Sequence, residues 1–251
     1  KNNNQFNLKL IANSKYYIDD FKKKSNSKII SELNKSNKKF DLDILLNSDL
    51  SKKDKNIIID CTSSKSVAKK YSKFFKKGFS IIAANKNANT LSQNYYEQLK
   101  KDQIDHNVKF KYETNVGAGL PMVSTIQSLY NSNDKIISFE GILSGTLSYL
   151  FKKYDGKKKF SDILIEAHKK GYTEPDPRFD LNGLDVGKKM LILLRESGIK
   201  YELEDIKIQS LIPKSINSKI SIEDFFNELK KNESFYESRL KESNKKNEVL
   251  R

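Results

Sequence analysis

Apolar positions along this chain recur with two spacings, and the alternation between them outlines a fold. Residues 8–12 (LKLIA) and 56–60 (NIIID) are short, apolar, partly β-branched runs between polar turn residues, the pattern of buried strands. The stretch between them is polar, with a weak helical spacing at Ile29, Ile30 and Leu33. Residues 65–77 then place Val67, Ala68, Tyr71, Phe74 and Phe75 on one stripe, which predicts an amphipathic helix closed by Gly78. A strand over 79–83, a helix over 92–101 behind the cap Ser92, and a strand over 108–112 follow at short intervals. Strand, helix and strand in this rhythm predict an α/β fold with a parallel sheet and right-handed crossovers.

Beyond Pro121 the rhythm changes. A helix is expected to about Tyr130, a strand over 136–142, helices over 146–154, 160–170 and 183–197, and one amphipathic helix near 222–229 before a charged run to Arg251. Strands no longer alternate with single helices, so residues 135–251 are read as a second, α+β domain and residues 1–134 as the first.

Composition narrows the functional classes. The 251 residues suffice for a sizeable core, and no apolar run, Met190 to Leu194 included, approaches the length of a bilayer span. A net charge of +15 raises nucleic acid as a partner. However, of 47 basic residues only Arg178, Arg195, Arg239 and Arg251 are arginine, the side chain suited to bidentate phosphate and guanine contacts. Lysines are spread along the chain, with short clusters at Lys22–Lys24 and Lys157–Lys159, so neither nucleic acid nor membrane is expected as a partner. The single Cys61 forms no internal disulfide and is read as a buried thiol at a strand end, and a reducing cytoplasmic setting is expected. The first residues carry neither an initiator Met nor an apolar leader core, which points to a start upstream of Lys1.

One glycine segment misleads. Gly117-Ala118-Gly119-Leu120-Pro121-Met122 sits between a strand and a helix, where a dinucleotide pyrophosphate loop would sit. It lacks the third glycine, Pro121 removes an amide, and no acidic strand end follows about 20 residues later. A cofactor-binding glycine loop is therefore expected before Lys1.

The stretch that carries chemistry is GYTEPDPRFDLNGLDVGKKM, residues 171–190. Its prolines hold a charged loop extended, and a helix beginning near Asn182 places Asp185 and Lys189 one turn apart on one face. Burial of the apolar run after Lys189 draws that lysine toward the core, where a neighbouring carboxylate would tune it for proton transfer. From spacing alone an ordinary surface ion pair is the plainer reading.

The same stretch closely resembles the substrate-site segment of homoserine dehydrogenases. Other segments resemble that family in order: Asp60-Cys61-Thr62-Ser63-Ser64, Ala84-Asn85-Lys86-Asn87-Ala88-Asn89-Thr90, Asn115 to Pro121, and Gly141 to Phe151. Several, including the tail Val249-Leu250-Arg251, are most similar to enzymes fused to aspartokinase. The resemblance covers roughly residues 8–251. It implies an incomplete Rossmann-type NAD(P)-binding domain with a substrate-binding and dimerisation domain, and reversible reduction of L-aspartate 4-semialdehyde to L-homoserine on the route to threonine and methionine.

Position by position, it implies Lys189 and Lys86 as catalytic residues, the first donating a proton and the second stabilising the reacting oxygen. Glu174, Asp185, Gly171 and Asp180 are implied at the substrate, and Thr62, Ser63, Lys86 and Lys15 at the cofactor. Lys15 lies where a 2′-phosphate would, favouring NADP(H) over NAD(H). Glu113, Val116, Ala118 and Leu120 match positions that supply oxygens to a structural Na+ or K+ ion. A homo-oligomer, a dimer or larger, and an aspartokinase domain in the same chain are further implications. Phe179, Ala84, Asn87 and Gly187 depart from the family pattern, Gly187 at a cost of about 1 kcal/mol in helix propensity relative to Ala. A different class, a catalytically silent or regulatory remnant of the fold, is the alternative.

Overall fold

A computed structural model describes residues 7–19, 21, 25–47, 55–248 and 250. The Lys22–Lys24 cluster and positions 249 and 251 of the tail lie outside the described residues. The chain opens with β1 (Ile11–Ala12) and β2 (Tyr17–Ile18), followed by α1 (Asn26–Lys35), α2 (Asp43–Leu46), β3 (Asn56–Asp60), α3 (Lys65–Ala68), α4 (Tyr71–Lys76) and β4 (Phe79–Ala83). Next come α5 (Asn87–Thr90), α6 (Gln93–Asp105), β5 (Phe110–Lys111), α7 (Met122–Asn131), α8 (Gly145–Lys153), α9 (Phe160–Lys169) and α10 (Arg178–Leu181). The last helices are α11 (Leu184–Glu196), α12 (Ile222–Lys231) and α13 (Glu233–Lys245).

The predicted parallel sheet is present, in the order β3-β4-β5, with Asn56 to Asp60 paired against Phe79 to Ala83 and Ile81 against Phe110. Because neighbouring strands follow in sequence, right-handed crossovers put the connecting helices on one face. Tyr71, Phe74 and Phe75 of α4 are fully buried there against Phe79, Ile81 and Phe110, each burial contributing about 1.5–3 kcal/mol. The other face is open: Ile57 and Ile59 of β3 and Ile82 of β4 stay exposed, although parallel sheets ordinarily carry cover on both sides. Cys61 continues that outward alternation and is exposed, contrary to the buried thiol expected.

Four elements differ from expectation. Residues 8–12 do not join the parallel sheet. The Asn13 side chain accepts the amides of Lys15 and Tyr16, and that turn folds β1 back on β2 as an antiparallel pair. The helix over 65–77 breaks at Lys69–Lys70, so α3 stays with α5 while α4 lies on the sheet. Residues 108–112 form a strand only at Phe110–Lys111. The strand expected over 136–142 is absent among the described residues. No described strand pairs with it and Ile137 is 94 % exposed, and a strand without a neighbour leaves its backbone groups without a ladder. The second half consequently contains helices and connecting segments but no strand among the described residues.

That second half has its own core of Leu150, Phe160, Ile163, Leu164, Phe225, Leu229 and Tyr236, with Phe160 and Tyr236 stacked at 4.0 Å. The charged tail folds as α13, whose first residue, the buried Glu233, accepts the amides of Phe160 and Ser161 at the start of α9. α11 joins the halves by packing on α5 and α7. Among the described residues no helix is long and apolar enough to cross a membrane.

Candidate active site

The site is built where the carboxyl ends of β3 and β4 meet the start of α11, the end of a parallel sheet at which ligands bind. Asp60 closes β3 facing inward and is almost fully buried. Its carboxylate accepts the Tyr71 hydroxyl at 2.5 Å, the Thr62 amide at 2.8 Å and the Asn85 amide group at 3.0 Å. Burial, followed by the bond to Asp60, pushes the Tyr71 phenol far above its ordinary range. Asn85 also donates to the Ser64 carbonyl, and Asn87 donates to the Ser63 carbonyl at 2.9 Å. Loops 61–64 and 84–90 are thereby fixed together, with Thr62 and Ser63 exposed beside them. Neither Asp60 nor Asn85 was singled out from sequence as a site residue. The available signal was an acidic residue ending an apolar strand. Asn87, a departure from the family pattern, has a defined place in this network.

Lys86 follows Asn85 and precedes the short helix α5. Its Nζ lies 3.3 Å from Asp185 Oδ1, across the two halves of the chain. Lys189, one turn along α11, lies 2.5 Å from Asp185 Oδ2 and donates to the Leu143 carbonyl at 2.7 Å. The Lys189 side chain is 17 % exposed, so the helix does turn it toward the core side. Burial acts to raise the Asp185 pKa, but Lys189 and Lys86 outweigh it and hold the carboxyl below its ordinary value. Lys188 is drawn down by burial, against the pull of Asp185, with Lys65 and Lys86 adding to the fall. The start of α11 is thus a concentrated basic group around one carboxylate.

Gly187 of α11 faces Ile208, and a Cβ at 187 would stand 2.5 Å from Ile208 Cδ1 and 3.1 Å from Cγ1, so Ile208 would have to shift to admit one. Gly183, with φ +75°, starts the helix and would likewise meet Ile208 if it carried a Cβ.

The residues of the 171–180 loop are tied to one another and to the end of α9. Gly171 adopts φ +71° in the cap of α9, its amide bonded to the His168 carbonyl and that of Tyr172 to Ala167. Thr173 donates to the Glu174 carbonyl and bonds His168 Nδ1 at 2.8 Å. The Glu174 amide donates to Asp180 at 2.8 Å, so Asp180 shapes the loop. Arg178 holds Asp176 through Nε and Nη2, and that bond keeps the Asp176 carboxyl below its ordinary value.

Other expected positions lie apart from this group. Lys15 is exposed in the β1–β2 turn. Glu113 accepts the amides of Val123 and Ser124, occupying the start of α7. Within that turn Val116 is buried, Ala118 has φ +53° and Leu120 is 63 % exposed.

Two family models divide the chain between them: "Homoserine dehydrogenase, NAD binding domain" matches residues 1–113 and "Homoserine dehydrogenase" matches residues 121–251. The chain belongs to the homoserine dehydrogenase family. It is 39 % identical over 254 aligned residues to a bifunctional aspartokinase/homoserine dehydrogenase of Buchnera aphidicola, covering 100 % of this chain and 31 % of that protein. The chain therefore spans about a third of the length of that bifunctional relative. A crystal structure of a protein of unknown function from Candida auris superposes with a TM-score of 0.87 at 30 % identity, covering 100 % of this chain and 72 % of that one. A hyperthermophilic archaeal homoserine dehydrogenase in complex with NADPH shares the fold, with a TM-score of 0.62 at 20 % identity over 80 % of this chain and 65 % of that one. The three-stranded parallel sheet with its helices is consistent with an incomplete Rossmann-type fold followed by a second domain. The Lys86–Asp185–Lys189 group joins a residue matched by the first of the two family models to two matched by the second.

Proposed function

We propose that the protein containing this chain catalyses the nicotinamide-dependent, reversible reduction of L-aspartate 4-semialdehyde to L-homoserine. The observation that carries the reading is Asp185 holding Lys86 from one half and Lys189 from the other at 3.3 and 2.5 Å. Lys189 donates a proton to the oxygen that becomes the product hydroxyl. Lys86 stabilises the negative charge developing on that oxygen. Asp185 keeps both ammonium groups in place and, with Glu174, Asp180 and the backbone at Gly171, forms the substrate side.

The nicotinamide cofactor fits at the carboxyl end of the sheet, where Thr62 and Ser63 are exposed on a loop fixed by Asp60 and Asn85. When bound it supplies the hydride that goes to the aldehyde carbon. We assign NADP(H) as the preferred form, with exposed Lys15 at a 2′-phosphate, and a structural Na+ or K+ ion to Glu113 with the backbone at Val116, Ala118 and Leu120. The remaining proposals are a cytoplasmic homo-oligomer, an aspartokinase domain in the same chain, and a division between cofactor and substrate domains at residues 134/135. The test is aldehyde-dependent oxidation of NADPH by the full-length protein. Cofactor binding without turnover would instead support a silent remnant of the fold.

A further inference from the structure

Arg195 lies near the C-terminal end of α11, and its side chain is fully buried. Its Nη1 donates to the carbonyls of Asn89 and Leu91, both at 2.8 Å, at the far end of the short helix that Lys86 begins. Nε and Nη2 donate to the Tyr201 carbonyl, and Nη2 also reaches Glu202 at 3.0 Å. The other oxygen of Glu202 accepts the Gln93 amide at the start of α6. The guanidinium also stands over the Tyr96 ring at 5.3 Å. Its planar fork is what allows one side chain to bind several fixed carbonyls at once.

α5 and α11 are therefore fastened at two places, Lys86 to Asp185 at one and Asn89 and Leu91 to Arg195 at the other. Asp185 and Arg195 stand about 15 Å apart along the helix axis, at 1.5 Å per residue. We infer that Arg195 is a positioning residue for the reaction: by latching the end of α5 to α11 it sets where Lys86 stands relative to Asp185 and Lys189. The inference rests on the dehydrogenase reading for its kinetic consequence, and on geometry alone for the placement of Lys86.

The experiment uses the full-length protein with Arg195→Ala and Arg195→Lys, and reads two quantities. In steady state, Arg195→Ala lowers kcat about tenfold or more with KM for NADPH nearly unchanged, and added guanidinium recovers part of kcat by refilling the vacated site. In pulse acetylation read by mass spectrometry, Lys86 labels about threefold faster in Arg195→Ala than in wild type, because its carboxylate partner has moved. Arg195→Lys keeps the charge but not the fork, and gives an intermediate loss. If Arg195→Ala does not fold, Arg195→Lys decides. Wild-type kcat per folded molecule, or unaltered Lys86 labelling, overturns the inference. Should wild-type protein fail to reduce the aldehyde, the dehydrogenase reading fails on that ground and the labelling still decides the role of Arg195.

Discussion

Asp185 reaches Lys86 across the two halves of the chain at 3.3 Å, while its second oxygen holds Lys189. Its carboxyl pKa lies below the ordinary 3.8, because the two lysines outweigh the effect of burial. A depressed folded-state pKa contributes stability that is present above the unfolded value and is lost as pH falls through the folded one. Denaturation curves of wild type and Asp185→Asn should therefore differ by a constant amount above about pH 5 and converge as pH falls below about 4. A difference that grows toward low pH would contradict this assignment.

Gly187 and Ile208 give a prediction in which packing works against helix propensity. Alanine in a helix interior is favoured over glycine by about 1 kcal/mol, but a Cβ at 187 would meet Ile208 Cδ1 at 2.5 Å and Cγ1 at 3.1 Å. Ile208 Cδ1 is the far end of a partly buried side chain that can turn aside, so Gly187→Ala should gain less stability in chemical denaturation than helix propensity alone would give. In an Ile208→Ala background the same substitution should gain the full amount, and a double-mutant cycle measures the difference.

Glu196 is buried at the end of α11 and gathers Tyr96 and Lys100 from α6, Gln127 from α7 and Tyr112 from just past β5. A carboxylate is unfavourable at a helix C-terminus, so these donors must stabilise it. Glu196→Leu leaves them without their shared acceptor and should cost about 3 kcal/mol of folding stability, read as a lower denaturation midpoint.

Glu233 caps α9 from another helix by accepting the Phe160 and Ser161 amides. Glu233→Ala should cost about 1–2 kcal/mol, while Glu233→Gln, which keeps an acceptor, should lose less. Equal losses in the two variants would show that packing, not capping, is the contribution.

Periodicity made much of this architecture legible. The strands at Asn56–Asp60 and Phe79–Ala83 and the helices at 92–101, 160–170 and 183–197 bury enough apolar surface to follow their own pattern. The strand expected at 136–142 was not legible, because pairing depends on a neighbour and none is present among the described residues. The hairpin turn at Asn13 and the helix at Glu233–Lys245 hinge on side-chain acceptors that apolar spacing does not reveal. At the candidate site, the Asp185–Lys189 pair could be read from helical spacing. Its link to Lys86, and the Asp60–Asn85 brace beneath it, are contacts distant in sequence that only the fold creates. Gly187 was read as a local defect because its neighbour, Ile208, comes from a later segment.

The most direct test compares full-length wild type and Lys189→Ala in NADPH oxidation driven by L-aspartate 4-semialdehyde, with NADPH affinity measured separately. The account predicts robust wild-type turnover, a loss of more than about tenfold in the variant, and nearly intact NADPH binding. Wild-type-like turnover by Lys189→Ala would contradict it.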